Sequence, residues 1–319
     1  MKSGFVSIIG RPNAGKSTLL NALVGEKLAI VTRKPQTTRN RITGIVNVKR
    51  KGSRPAGQIV FIDTPGVHKP ADQLNKRMMQ EVYDALEGCD VLLYMVDVTE
   101  TFGPGEQFTL DMIKERSVGG HEGKKMPVFL LLNKIDRVKK DELLPLMQEW
   151  QARHKFAEII PISASKKHGI DELLTSVIKR LKSGPAYFPE DQITDQPERF
   201  VVAEFIREQV LELTHEEVPY ASGVMIEQFE EGRSLTRIAA TIYVERDGQK
   251  AIIIGKQGTV LKRIGTEARR QIERLLGMKV YLELFVKVNE GWRGKKDFVD
   301  ETVDWRKQLQ NLTKNKREN

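Results

Sequence analysis

The stretch Gly10-Arg11-Pro12-Asn13-Ala14-Gly15-Lys16-Ser17-Thr18 constrains this chain more than any other. It follows an apolar, β-branched run at 5–9 and leads into the helix-forming Leu19-Leu20-Asn21-Ala22-Leu23. Strand, glycine-bounded loop and helix are the context that a G-x-x-x-x-G-K-[ST] phosphate loop requires. The glycines allow a tight turn, so that successive N–H groups point inward at a phosphate chain. The opening turn of the helix adds unpaired N–H groups and the positive end of its dipole. Lys16 is then placed along the β- and γ-phosphates and the Ser17 hydroxyl on a Mg²⁺ ion. The alternative is a plain glycine turn with an exposed lysine, and a full match in this context argues against it.

Around the loop, apolar strand candidates at 5–9, 41–48, 58–62, 90–96, 127–132 and 158–161 alternate with amphipathic helical stretches. The helices fall at 16–24, 73–87, 106–116, 140–153 and 170–181. That alternation predicts an α/β domain over 1–182 with a mostly parallel sheet covered on both faces. Ligands bind beyond the carboxyl ends of such strands. Residues 49–57 carry four basic side chains, and a solvated turn between two strands is favoured over an RNA contact. Residues 183–197 hold three prolines and no periodicity, which predicts a linker.

The base is chosen by Asn133-Lys134-Ile135-Asp136, which follows Leu130-Leu131-Leu132. A carboxylate at Asp136 can accept from guanine N1–H and from the exocyclic amine, a pair that adenine does not offer. Asn133 is expected to hold base and phosphate loop together, and the stem of Lys134 to cover the ring. Ser163 and Ala164, after the strand at 158–161, fit a loop whose backbone N–H meets the guanine oxygen. Asp63-Thr64-Pro65-Gly66 follows another apolar strand. Asp63 is expected to reach Mg²⁺ through a water, and the Gly66 N–H to sense the γ-phosphate. In Gln36-Thr37-Thr38-Arg39 one threonine completes the metal shell, and Thr38 is favoured over Thr37. Simple capping is the alternative for that pair. Lys16, Thr38 and Gly66 form the expected catalytic set, and Ser17, Thr38 and Asp63 the metal set. Both threonine-bearing and glycine-bearing segments would be ordered by the γ-phosphate and released on hydrolysis, a switch.

Beyond the linker the order reads helix (198–213), strands (220–230 and 235–246), a short helix (249–254), a helix (258–276) and a strand (279–288). Between the last two helices lies Gly255-Lys256-Gln257-Gly258. At about 100° per residue, Val260, Ile264, Ala268, Ile272 and Leu275 fall on one side of the long helix. Lys262, Arg263, Arg269, Arg270 and Arg274 fall on the other. A solvated face stabilised by pairs such as Glu267 with Arg270 is the alternative to RNA binding there.

Charge follows the same division. The chain of 319 residues has a net charge of +9 and a pI near 9.4. Residues 198–319 are nearly balanced, with 22 basic against 20 acidic side chains, yet 250–279 carry eight basic ones and only Glu267 and Glu273. Concentrated positive charge points to a polyanionic partner. A lone cysteine, Cys89, excludes an internal disulfide framework and fits a reducing cytosol. No apolar run is long enough to span a membrane.

The nucleotide motifs, in this order, resemble the GTPase domain of the translation-factor-related class. The order α-β-β-α-α-β around G-x-x-G resembles an α+β KH domain of type II, in which that loop clamps single-stranded RNA. With the string Gly184-Pro-Ala-Tyr-Phe-Pro-Glu-Asp-Gln between them, the whole chain resembles the Era family of bacterial ribosome-assembly GTPases. The resemblance implies domains at 1–182 and 198–291, a linker at 183–197 and a C-terminal helix and tail at 292–319. It implies nucleotide contacts from Gly10–Thr18, Asp63–Val67, Asn133, Lys134, Asp136, Ser163 and Ala164, and RNA contacts from Gly255–Gly258, Lys262, Arg263 and Arg270. It further implies GTP/GDP and Mg²⁺ as cofactors, the 3′ end of 16S rRNA and the small ribosomal subunit as partners, a monomer, and a cytoplasmic location with peripheral membrane contact.

Val67 stands where many GTPases carry the glutamine that orients the attacking water. Hydrolysis is therefore expected to be slow until another group is supplied. In related GTPases with a hydrophobic residue here, an asparagine at the position of Asn13 can hold K⁺; bracing of the loop by hydrogen bonds is an equal alternative. A GTP-hydrolysing switch is the leading reading, and an RNA-binding module that senses GTP without useful turnover is the other. The loop 49–57 is longer than the family leads one to expect.

Overall fold

Strands with unbroken apolar sequence belong in a sheet buried on both faces, and the first half is built that way. The computed structural model describes residues 1–116 and 126–303. In chain order the first half runs β1 (Lys2–Ile9), α1 (Lys16–Val24), β2 (Ile42–Val48), β3 (Gly57–Asp63), α2 (Gln73–Leu86), β4 (Val91–Asp97), α3 (Pro104–Arg116), β5 (Val128–Asn133), α4 (Lys140–Arg153), β6 (Glu158–Pro161), α5 (Ile170–Arg180) and β7 (Lys182–Ser183). The sheet order is β2, β3, β1, β4, β5, β6; only β2 and the short β7, which pairs with β1, run antiparallel to their neighbours. β4 and β5 are buried almost end to end, and Tyr94, Leu130 and Leu132 pack with Trp150 and Phe156 in one apolar cluster. Cys89 lies in that cluster, and burial pushes its thiol up to about 11.

The second half runs α6 (Glu198–Leu213), α7 (Val218–Ala221), β8 (Gly223–Glu231), β9 (Leu235–Val244), α8 (Asp247–Ile254), α9 (Thr259–Leu276), β10 (Lys279–Val288) and α10 (Lys296–Val303). β10 pairs parallel and β8 antiparallel to the central β9. α6 packs on β8 and α9, and α9 packs on β10. Ile264, Ala268 and Ile272 of α9 are fully buried, the face that the helical spacing selects. The end of the expected C-terminal helix and tail, after residue 303, lies outside the described residues.

By packing, the chain divides into two units, and the division does not follow sequence order alone. The first contains Met1–Ala29, Thr38–Lys69 and Met78–Asp195; the second contains Ile30–Thr37, Pro70–Arg77 and Gln196 onward.

The stretch expected to be a linker is strapped to the first unit as far as Asp195. β2 is an edge strand, and its outward backbone groups need partners. Ile45 N–H donates to the Ile193 carbonyl at 2.8 Å, and the Thr194 hydroxyl to the Thr43 carbonyl at 2.7 Å. The central fastener is Gln58, a fully buried amide beside the apolar run Ile59–Ile62 of β3. Its Oε1 accepts from the Tyr187 and Phe188 N–H groups at 2.8 and 3.0 Å, and its Nε2 donates to the Phe188 carbonyl at 2.9 Å. The basic loop 49–57 is also anchored: Lys51 and Arg54 reach Asp171 at 2.7 and 2.5 Å and hold its carboxyl below the usual range.

Truncating Gln58 takes the side-chain partner from the Tyr187 and Phe188 N–H groups and the Phe188 carbonyl, at about 1–3 kcal/mol each where water does not replace it. Gln58→Ala is expected to lower unfolding free energy by about 3 kcal/mol and to raise hydrogen exchange at Tyr187 and Phe188, read by denaturant titration and mass spectrometry.

Candidate nucleotide and RNA sites

β1 ends at Ile9, and the phosphate loop turns back across the carboxyl ends of β1 and β4. The buried Lys16 ammonium donates to the loop's own Gly10 and Arg11 carbonyls at 3.1 and 2.9 Å. Burial draws it down to about 8, against the opposing charge of Asp63. Gly15 has φ of 103°, and a Cβ there would lie 2.3 Å from Asn133 Nδ2, so only glycine fits.

That close approach is where two motifs interlock. Asn133 Nδ2 donates to the Ala14 carbonyl at 2.7 Å, while its Oδ1 accepts from the Ala164 N–H at 3.0 Å. One buried amide thus ties the phosphate loop, the Asn-Lys-x-Asp strand end and the loop after β6. Asp136 stands exposed beside it, accepting from the Ser163 hydroxyl at 2.5 Å. That bond keeps its carboxyl below the usual range, so it remains an acceptor. Lys134 has φ of 70° and forms an ion pair with Asp97, a partner that no sequence motif signals.

Three oxygens from distant positions converge at the start of α1. Ser17 Oγ is 2.8 Å from Thr38 Oγ1 and 2.6 Å from Asp63 Oδ2. Asp63 is fully buried, and burial raises its carboxyl to about 6 against the pull of Lys16, Ser17 and the Thr64 N–H. Its Oδ1 is buried without a hydrogen-bond partner. Two hydroxyls and a carboxylate with an unmet oxygen suit a hard cation such as Mg²⁺, which takes few protein ligands beside phosphate and water. Thr37 faces elsewhere, with its hydroxyl 2.7 Å from the Lys34 carbonyl and 2.8 Å from Thr32 Oγ1.

Asp63-Thr64-Pro65-Gly66 lies against the phosphate loop: a Cβ at Gly66 would stand 2.6–2.8 Å from Pro12. Two candidates in this segment offer no side chain to a nucleotide. Thr64 turns inward to the Ile8 carbonyl at 2.8 Å, and Val67 is buried in the apolar cluster. The Val67 N–H donates to the Gly10 carbonyl at 3.0 Å. Arg11 Nη1 is held by Glu106 at 3.0 Å, Asn13 adopts φ of 63°, and Thr18 follows Ser17 in α1.

In the second unit, Lys256–Gly258 form a single 3-10 turn between α8 and α9, with positive φ at Gly255 (70°), Gln257 (51°) and Gly258 (76°). Lys256, Gln257, Lys262 and Arg263 are exposed. Arg270 is exposed too but pairs with Glu267 at 2.9 Å, the helix-face contact expected as the alternative to RNA.

A phosphate loop, a Ser17–Thr38–Asp63 cluster and a carboxylate poised beside the Ser163 loop define a GTPase of the phosphate-loop class, joined to a KH domain. Residues 5–134 match the 50S ribosome-binding GTPase family and residues 217–293 the KH domain family. A structure of a single-site variant of Aquifex aeolicus Era bound to GDP·AlF4⁻ shares 41% identity, covering 95% of this chain and 99% of that one, with a TM-score of 0.88. A structure of Era with MgGDPNP and nucleotides 1506–1542 of 16S ribosomal RNA shares 40% identity at the same coverage and TM-score. The chain belongs to the Era family of GTPases.

Asp136→Asn replaces an acceptor with a donor toward the base edge. Preference is expected to pass from GTP to XTP, with a loss of GTP affinity on the order of 10²-fold or more, measured by competition between the two nucleotides.

Proposed function

We propose that this protein is a GTP-hydrolysing switch that binds the 3′ end of 16S rRNA and assists maturation of the small ribosomal subunit. The observation that carries this reading is the meeting of Ser17, Thr38 and Asp63 beside a buried Lys16, in a chain that also presents a G-x-x-G turn. In the reaction, Lys16 leaves the Gly10 and Arg11 carbonyls for the β- and γ-phosphate oxygens, and the Gly66 N–H faces the γ-phosphate. Ser17, Thr38 and Asp63 would hold Mg²⁺, which when bound neutralises charge on the phosphate oxygens. Asp136 accepts from the guanine edge, and Asn133 keeps that edge in register with the phosphate loop. The Thr38 and Gly66 segments are the parts that respond to loss of the γ-phosphate. Lys256, Gln257, Lys262, Arg263 and Arg270 contact single-stranded RNA. Among the described residues no helix is long and apolar enough to cross a membrane. A cytoplasmic monomer with peripheral membrane contact is the remaining part of the proposal.

The buried Val67 favours a second reading, in which GTP is sensed without useful turnover, because its side chain cannot orient water. Turnover assays with and without small subunits separate the two. A rise in hydrolysis with subunits supports the switch, and its absence the sensor.

Two predictions follow from the assigned residues. Lys256→Asp with Gln257→Asp sets two negative charges against an RNA backbone; RNA affinity at moderate salt is expected to fall at least tenfold, with GTP affinity unchanged, by anisotropy titration. K⁺ is expected to accelerate hydrolysis above Na⁺ at matched ionic strength, and Asn13→Ala to remove most of the difference. Equal rates in the two salts leave Asn13 a loop brace.

A further inference from the structure

Ile30–Thr37, the residues that immediately precede the metal-facing Thr38 in the chain, pack in the second unit. α6 holds them at three points. The Lys34 ammonium donates to the Leu211 and Thr214 carbonyls at the carboxyl end of α6. Helix carbonyls there lack intrahelical partners, and the dipole is negative. Arg207 donates through Nη2 to the Thr37 carbonyl. Glu208 Oε1 accepts from the Val31 N–H at 3.1 Å, while its Oε2 accepts from Gln271 Nε2 at 3.0 Å. Gln271 lies on α9, the helix that begins at the G-x-x-G turn.

Stability does not account for this arrangement. Arg207 and Glu204 are 3% and 9% exposed and pair at 2.6 and 2.8 Å within one helix. Desolvating two charges costs about as much as their attraction returns, so apolar residues would serve a static core as well. What the pair supplies is geometry. Glu204 fixes a planar guanidinium in one orientation, with a donor aimed at one loop carbonyl.

We infer that Arg207, fixed by Glu204, is a positioning residue for GTP hydrolysis: by holding the Thr37 carbonyl it sets the placement of Thr38, the next residue. Lys34 clamps the same segment to the end of α6, and Glu208 links it to the helix of the G-x-x-G turn. This inference rests on the reading of Thr38 as a metal ligand. It sets a specific requirement, because Thr38 serves the triphosphate state alone. GDP binding therefore does not depend on α6, whereas the triphosphate state does.

The test uses the full chain with Mg²⁺ and compares GDP with a non-hydrolysable GTP analogue. Arg207→Ala alone would strand a buried carboxylate and unfold the helix, so both charges are removed together as Glu204→Gln with Arg207→Met. Lys34→Ala, at a half-buried loop position, is the second variant. Each is expected to lower kcat and analogue affinity about tenfold while GDP affinity stays within about twofold. Unchanged analogue affinity and kcat in folded variants overturn the inference, as does an equal loss for GDP, which marks a merely structural role. Thr38→Ala is the control. If it leaves the Mg²⁺-dependent preference for the analogue intact, the reading of Thr38 fails first, independently of Arg207.

Discussion

The amide of Asn133 is the interaction on which the nucleotide half depends. A single buried side chain uses its donor on the Ala14 carbonyl and its acceptor on the Ala164 N–H. Three loops at the ends of different strands thereby take one spacing. The low-dielectric setting makes both bonds strong and makes their loss costly. It also explains why Gly15 tolerates no side chain: a Cβ would occupy the Asn133 amide's place.

Around that point, segments close in sequence are divided between the two units. β4 and β5 are packed throughout, and the segment after β7 is locked to the sheet edge by Gln58. The segments at 30–37 and 70–77, which precede Thr38 and follow Gly66 in the chain, pack instead with the second unit. Within that unit Gln36 donates to Asn75 at 3.0 Å, so the two segments also hold each other. Both ion pairs and loop carbonyls in this region are contacts that can be exchanged at little cost in apolar burial. Such contacts suit a segment whose state changes with a phosphate.

Much of the architecture was legible from pattern. Unbroken apolar runs marked β4 and β5, because both faces of a parallel strand are covered. The spacing of Ile264, Ala268 and Ile272 marked the buried face of α9. Less visible were polar residues whose partners lie far along the chain. Gln58 reads as a polar residue in a strand, Asp97 as a strand end, and the stretch 183–197 as a linker. Nothing in their local spacing points to Tyr187, Lys134 or the edge of β2.

By itself the sequence determined the chemical groups and their attachment to strand ends: a phosphate loop, the Asp136 carboxylate, the Ser17 and Thr38 hydroxyls and a G-x-x-G turn. Local rules suffice for these, since the backbone conformation at Gly15 or Gly255 depends on a few neighbouring atoms. Tertiary structure decided which members of each set meet. It brings Thr38 rather than Thr37 to Ser17, buries Val67 and turns Thr64 into the sheet. It also assigns 30–37 to the unit of Arg207 and Glu208. Those outcomes depend on contacts between residues up to 180 positions apart, and no periodicity within a segment encodes them.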